Sequence, residues 1–251
     1  MALARRERVA LALQRALGWT CFPLLGPLAV ALMRWGMGYR IRHLNALRAR
    51  VWQLLGARRT PLLVCANHLT MIDSALVGWT LASNWTYLRR FWLFPWNLPE
   101  QRNFGRNPAL RLVCYLFKCI PVVRGGPPDQ TRRTLERVRH LLARGEAMFI
   151  FPEGTRSRSG RVDTEGFAYG VGRLCQQVAG TRVLCVYQRG CGQQGSSFFP
   201  RRGETFYTDL ALIEPRSEHT GLRGARDIAT QIVHQLHEME QAYFDHAAGR
   251  Q

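Results

Sequence analysis

The sequence predicts an α/β fold: a mixed central sheet flanked by helices, preceded by an N-terminal helical hairpin that associates with a membrane. Three observations carry this expectation. Apolar runs of strand length alternate with helical segments from Leu62 onward. A charge-free apolar run, Ala16 to Met33, lies near the N-terminus. The last segment repeats Ile228, Ile232, Leu236, Met239 and Tyr243 at three- to four-residue spacing, which predicts an amphipathic closing helix over Arg226 to His246.

The N-terminal run is broken by Pro23, Gly26 and Pro27, with Trp19 and Trp35 in and after it. Prolines in mid-run favour a helix-turn-helix that dips into one leaflet over a spanning helix, and the tryptophans suit the interface. A signal peptide is disfavoured, because no small-residue cleavage site follows cleanly. Instead Arg34, Arg40, Arg42, Arg48 and Arg50 come next, placed to meet acidic lipid headgroups on the cytoplasmic face of the inner membrane. A soluble hairpin packed on the core is the alternative. A basic turn over Gly56 to Pro61 divides the chain into residues 1–56, the membrane-anchoring segment, and 57–251, the chemical domain.

Within the second part, Leu62 to Ala66 predicts a buried strand and Ser74 to Leu81 a helix. Trp85 to Trp96 interleaves aromatic rings with Arg89 and Arg90. That pattern predicts a half-buried strand or a membrane-facing rim, and resembles more distantly a single-strand nucleic-acid platform. Asn107-Pro108 starts a helix over Ala109 to Phe117, a strand follows over Cys119 to Val123, and Asp129 to Arg144 is an amphipathic helix ended by Gly145. Ala147 to Phe151 and Val183 to Tyr187 are further strands, Gly166 to Gln177 is a helix, and Glu204 to Ile213 holds one or two strands more.

The 251 residues, 47% of them hydrophobic, suit one sizeable folded core. The formal charge of +18 is almost wholly arginine, with Lys118 the sole lysine. An anionic partner follows, and charge alone admits nucleic acid, an acidic membrane or a phosphorylated small substrate. Seven cysteines lie scattered without a CxxC pair or zinc-ligand spacing, which predicts reduced thiols and no metal site.

Chemistry concentrates in two segments. Asn67-His68-Leu69-Thr70-Met71-Ile72-Asp73 follows the first strand, and a histidine and aspartate five apart meet if the turn folds back, the carboxylate holding one ring nitrogen while the other faces a substrate. Pro152-Glu153-Gly154-Thr155-Arg156-Ser157 follows a later strand and reads as an anion cradle: glycine permits the turn, amides and Thr155 donate, and Arg156 supplies charge. Arg124, at a strand end before two glycines, is a second arginine suited to phosphate. Phosphate-loop, nucleophile-elbow and zinc-helix motifs are missing. A base without a protein nucleophile, beside arginines, suggests deprotonation of the hydroxyl of a phosphate-bearing acceptor.

In this order, Asn67-His68-x-x-x-x-Asp73, Arg124 and Phe151-Pro152-Glu153-Gly154-Thr155-Arg156-Ser157 resemble the first three motif blocks of the glycerophospholipid acyltransferases, over roughly Leu62 to Tyr187. The resemblance implies a glycerol-3-phosphate acyltransferase-like αβ domain. It implies an enzyme in which His68, oriented by Asp73, deprotonates a lysophospholipid, foremost 1-acyl-glycerol-3-phosphate, as it attacks an acyl thioester. Acyl-CoA or acyl carrier protein is then the co-substrate and no other cofactor is needed. Asn67, Arg124, Glu153, Gly154, Thr155 and Arg156 fall to substrate binding, acidic membrane lipids are partners, and nucleic acid is not. Two departures bear on the acceptor. The strand of the fourth block, Leu184 to Arg189, lacks the family's usual proline, and Gly166 to Gly170 lacks the usual lysine, for which Arg173 or Arg189 is the candidate substitute. Another lysolipid, or a specialised acceptor such as an amino-acid lipid, therefore stays open.

Overall fold

The structure, a computed structural model, describes residues 3–104, 107–123 and 125–248. In chain order the elements are α1 (Arg5–Ala31), β1 (Arg40–Ile41), α2 (Leu44–Leu55), β2 (Leu62–Ala66), α3 (Asp73–Leu81), α4 (Asn84–Arg89), β3 (Trp96–Asn97), α5 (Gln101–Phe104), α6 (Pro108–Leu116), α7 (Pro128–Ala143), β4 (Met148–Ile150), α8 (Gly170–Gln177), β5 (Arg182–Gly190), β6 (Thr205–Ile213) and α9 (Gly221–Ala248). Among the described residues six strands form one mixed sheet in the order β1-β6-β5-β2-β4-β3, with only the β5–β6 pair antiparallel. The predicted fold class holds.

Strand β2 is the centre of the sheet, paired in parallel with β4 on one side and β5 on the other. All five of its residues are buried. Leu63 and Cys65 join the core beneath α7, α8 and α9, whereas Leu62, Val64 and Ala66 join the opposite core with α2 and α3. A strand covered on both faces reads as a continuous apolar run, which is why Leu62 to Ala66 was recognisable without alternation. All seven cysteines are free.

Helix α1 departs from the expected hairpin. It runs unbroken through Pro23 and Pro27 and ends in one π-helical turn, Leu32–Gly36. The two prolines remove hydrogen-bond donors from the ladder without turning the chain, and contacts along the domain hold the helix against it. Gln14 donates to the carbonyls of Tyr115 (3.0 Å) and Cys119 (2.9 Å), and Trp19 Nε1 donates to Leu88 (3.0 Å). Gly18 lies so close to α6 that a Cβ there would stand 2.6 Å from the Leu116 carbonyl oxygen. The expected division at Gly56 to Pro61 also falls inside the sheet's own architecture, since β1 from the N-terminal side pairs with β6.

The aromatic stretch forms α4 and a turn instead of a strand, because Ser83 caps Thr86 N–H and starts a helix. Tyr87, Phe91 and Phe94 surround Phe22 of α1, with ring centroids 6.0, 5.6 and 5.1 Å away. Tyr87 and Phe91 are buried, so these rings form a socket for α1, while Trp85 stays exposed. The Cys119 to Val123 strand reduces to isolated bridges at Cys119 and Val122. The remaining predicted elements appear with shifted ends, and Asn107 caps α6 by accepting from Ala109 and Leu110 N–H.

One buried charge cluster secures this docking. Glu146 Oε1 accepts from Arg15 of α1 (3.0 Å) and Arg59 (2.7 Å), while Oε2 accepts from Lys118 Nζ (2.9 Å) and Trp96 Nε1 (3.1 Å). Lys118 is fully buried and donates also to the carbonyls of Phe91 and Phe94. Burial pushes its ammonium down to about 8 against the pull of Glu146. Burial pushes the Glu146 carboxyl up, but Lys118 and Arg15 outweigh it and hold the group below its ordinary value. Removing the carboxylate strands the lysine in a dry site. Glu146→Ala is expected to lower unfolding free energy by about 3–5 kcal/mol, read by urea denaturation in detergent. Lys118→Met, which leaves Glu146 its two arginines, is expected to be milder.

Candidate active site

The parallel arrangement brings the C-terminal ends of β2 and β4 to one edge of the sheet, and both predicted motif segments leave from there. At open α/β sheets this edge is where ligands bind. Asn67 is the first residue past β2. Its amide oxygen accepts from Gln188 N–H (2.8 Å) and its Nδ2 donates to the Gln188 carbonyl (3.1 Å). The side chain thereby extends the β2–β5 ladder by one step and releases His68 from the sheet. Asn67, expected among the substrate-binding groups, is buried and has its amide committed to the backbone.

His68 is held from four directions. Its N–H donates to Glu153 Oε1 (3.1 Å) and its carbonyl accepts from Ser157 N–H (2.9 Å). Its ring stacks on Phe151, with centroids 3.8 Å apart and planes inclined by 11°. Nδ1 lies 3.1 Å from Asp73 Oδ2. That same oxygen accepts from Leu69 N–H (2.6 Å) and Thr70 N–H (2.7 Å), while the Thr70 hydroxyl donates to Oδ1. The intervening turn has therefore folded back on the carboxylate as the spacing required. A carboxylate that accepts at Nδ1 selects the tautomer with the proton on Nδ1, leaving Nε2 a bare lone pair. No protein partner occupies Nε2 among the described residues, and the imidazole keeps 12% of its side-chain surface exposed.

Glu153, assigned to the acceptor by resemblance, faces the protein instead. Its second oxygen accepts from Asp163 N–H (3.4 Å), and the residue is 5% exposed. This is the geometry of a positioning residue for the His68 backbone. Gly154 turns the chain at φ +70°, a conformation that favours glycine. Thr155 is exposed and Arg156 is half-buried. The turn thus splits its labour, with Glu153 inward and Thr155 and Arg156 outward. Arg124 lies outside the described residues.

A segment that sequence reading passed over completes the site. In the connection from β5 to β6, Ser197 N–H donates to the Leu69 carbonyl (3.0 Å) and Phe198 accepts from Met71 N–H (3.1 Å). Arg156 Nη1 donates to the Ser197 carbonyl (3.3 Å), and its guanidinium lies 5.8 Å from the Phe198 ring centroid. The signal available was Phe198-Phe199 standing in an otherwise polar connection. Arg189, the candidate substitute cation, is buried and donates to the carbonyls of Gln193, Gly160 and Gln194. It staples this connection to the loop after β4, where a Cβ on Gly160 would meet Gly195 at 2.7 Å. Of the two candidates, only Arg173 is exposed.

Burial pushes the Glu153 carboxyl up to about 7, against the His68 and Asp163 amides that pull it down, with Glu240 and Asp163 adding to the rise. In the unfolded chain the group releases its proton near 4.5. Between those values the folded state binds the extra proton, so stability contributed here falls as pH rises. The melting-temperature difference between the parent protein and Glu153→Gln is expected to move against the parent from about pH 4.5 to 7 and to level off outside that window. A flat difference would show that Glu153 ionises freely in the fold.

A family model described as Acyltransferase matches residues 42–188, more than half of the chain and every described residue of the two motif segments. No curated protein matches alongside it. With the parallel sheet edge and the paired His68 and Asp73 in place, the family match leaves a plain conclusion: this chain belongs to the acyltransferase family of the glycerophospholipid acyltransferases.

Proposed function

We propose that the protein is a membrane-associated O-acyltransferase that moves a fatty acyl group from acyl-CoA or acyl carrier protein to the hydroxyl of a lysophospholipid. The foremost acceptor is 1-acyl-glycerol-3-phosphate, giving phosphatidic acid. The observation that carries the reading is the His68 ring, fixed by Asp73 at Nδ1 and by Phe151 across its face, with Nε2 open.

In this scheme Nε2 takes the proton of the acceptor hydroxyl as its oxygen bonds to the thioester carbonyl carbon. The tetrahedral intermediate expels the thiolate, the C–S bond breaks, and the imidazolium returns the proton to sulfur. Asp73 stabilises the transient imidazolium and keeps the ring in register. Arg156 and Thr155, on the outward side of the Gly154 turn, bind the acceptor phosphate in this reading, and the family resemblance assigns Arg124 to the same acceptor.

Supply of the substrates from a bilayer fits α1. Residues 5–36 are long and apolar enough to cross a membrane, and only 22% of the most apolar stretch is buried, unlike the core helix of a soluble protein. The arginines that follow suit the acidic lipids of a cytoplasmic membrane face. A second acceptor reading, another lysolipid, is favoured by one observation: Arg189 is committed to loop carbonyls and does not replace the lysine missing before α8.

Lipid mass spectrometry of the purified protein with labelled acyl thioesters and a lysolipid panel tests this reading. His68→Ala is expected to lower turnover by about 10²–10⁴-fold with the fold retained, and near-normal turnover would refute the base. Arg156→Ala is expected to weaken phosphate-bearing acceptors by roughly 10- to 100-fold, the worth of a charge-assisted hydrogen bond. Phosphate-free acceptors are expected to change little.

A further inference from the structure

Phe198 and Phe199 are 59% and 52% exposed, an edge-to-face pair with ring centroids 5.0 Å apart. Two large apolar rings held in water beside a catalytic turn require an explanation. The residues carrying them are not a loose tip. Ser197 and Phe198 are bonded through their backbones to Leu69 and Met71, on either side of Thr70 in the turn that positions His68.

The other end of the same loop is bonded to the end of the apolar helix. Gly203 N–H donates to the Met37 carbonyl (2.8 Å), Arg202 Nη2 to the Gly36 carbonyl (2.9 Å), and the Tyr39 hydroxyl to the Pro200 carbonyl (3.0 Å). On this end of the helix Leu32 and Trp35 are 58% and 77% exposed. Arg34, Arg201 and Arg202 are exposed around them. Aromatic rings rimmed by arginines match a bilayer interface, with the rings below the headgroups and the guanidiniums among the phosphates.

We infer that the loop 196–203 is the membrane-facing lip of the active site: Phe198 and Phe199 enter an acidic bilayer beside Leu32 and Trp35, so a lysolipid reaches His68 without leaving the membrane. The inference rests on the acyl-transfer reading above. It adds a second membrane contact, distant in sequence from the helix and continuous with it in space. Through Arg156, which bonds to Ser197 and faces Phe198, the lip also joins the proposed phosphate site.

The test uses the full chain in vesicles of phosphatidylglycerol and phosphatidylethanolamine, comparing the parent protein with Phe199→Ser and Trp35→Ser. Each is assayed on a vesicle-embedded long-chain lysophospholipid and on a short-chain analogue of the same headgroup that stays monomeric in water, with both CoA and acyl carrier protein thioesters. The lip predicts a loss in kcat/KM of about tenfold on the embedded acceptor, the scale of one phenylalanine leaving an apolar phase. On the monomeric acceptor it predicts less than about a threefold change, because both side chains are exposed and neither makes one of the bonds or ring contacts that hold His68. Equal losses on both acceptors, or no loss on either, overturn it. A loss confined to acyl carrier protein thioesters assigns the rings to the carrier protein and overturns it too. If the parent protein transfers no acyl group to either acceptor, the acyl-transfer reading fails. Amide hydrogen exchange over 196–203 then decides the lip, which predicts slowing by the vesicles in the parent and loss of that slowing in Phe199→Ser.

Discussion

The structure around His68 depends on one carboxylate. Asp73 stands at the first turn of α3 with 13% of its side chain exposed, and its two oxygens collect the imidazole Nδ1, two backbone amides and the Thr70 hydroxyl. A half-hidden carboxylate is tolerated when it is satisfied in this way. The amides come from Leu69 and Thr70, so the chain must double back between strand and helix. That doubling back delivers the imidazole to the same oxygen. Backbone conformation and ring tautomer are therefore set by a single group, and the further contacts refine the result: Phe151 fixes the ring plane, Glu153 and Ser157 fix the His68 backbone, and Ser197 and Phe198 fix the turn from outside.

A second centre, Glu146, ties the apolar helix to this domain. It gathers Arg15 from α1, Arg59 from before β2 and the buried Lys118, while Phe22 seats in the aromatic socket. The helix is thus part of the domain on one side and apolar toward the surroundings on the other, where Leu13, Leu24, Leu28 and Leu32 are exposed. The exposed apolar face and the His68 site are thereby carried by one packed unit of helix and sheet. Under the proposed membrane attachment, that unit makes the bilayer a fixed reference for the His68 edge, an arrangement that suits acyl transfer between lipid-chain substrates.

Much of this was legible locally. The run Leu62 to Ala66, the amphipathic α7 and α9, the Asn107 cap and the five-residue spacing of His68 and Asp73 each follow from a pattern confined to one segment. What escaped was set by contacts between distant segments. Pro23 and Pro27 predict a turn by their own geometry, but α1 is stabilised along its length by α4 and α6, and tertiary packing overrides that tendency. The rings over Trp85 to Trp96 gave an aromatic signal without telling a buried socket from an exposed platform. Residue type alone also did not announce the backbone contacts of Asn67, Glu153 and Arg189. A polar side chain beside a motif suggests a ligand contact, whereas these three satisfy backbone groups that the sharp turns leave without secondary-structure partners. The clamp at Ser197 and Phe198 left no motif, since main-chain hydrogen bonds carry little side-chain signature.

The account stands or falls on the tautomer that Asp73 imposes. Nitrogen-15 NMR of the His68 imidazole, in the full chain with selectively labelled histidine and assignment by His68→Gln, reads it directly. The neutral ring is predicted to show a protonated Nδ1 and a bare Nε2. In Asp73→Ala, which takes away the acceptor at Nδ1, the ring is predicted to shift its proton toward Nε2. A parent protein with the proton already on Nε2, or one whose tautomer ignores the Asp73 substitution, would contradict the account.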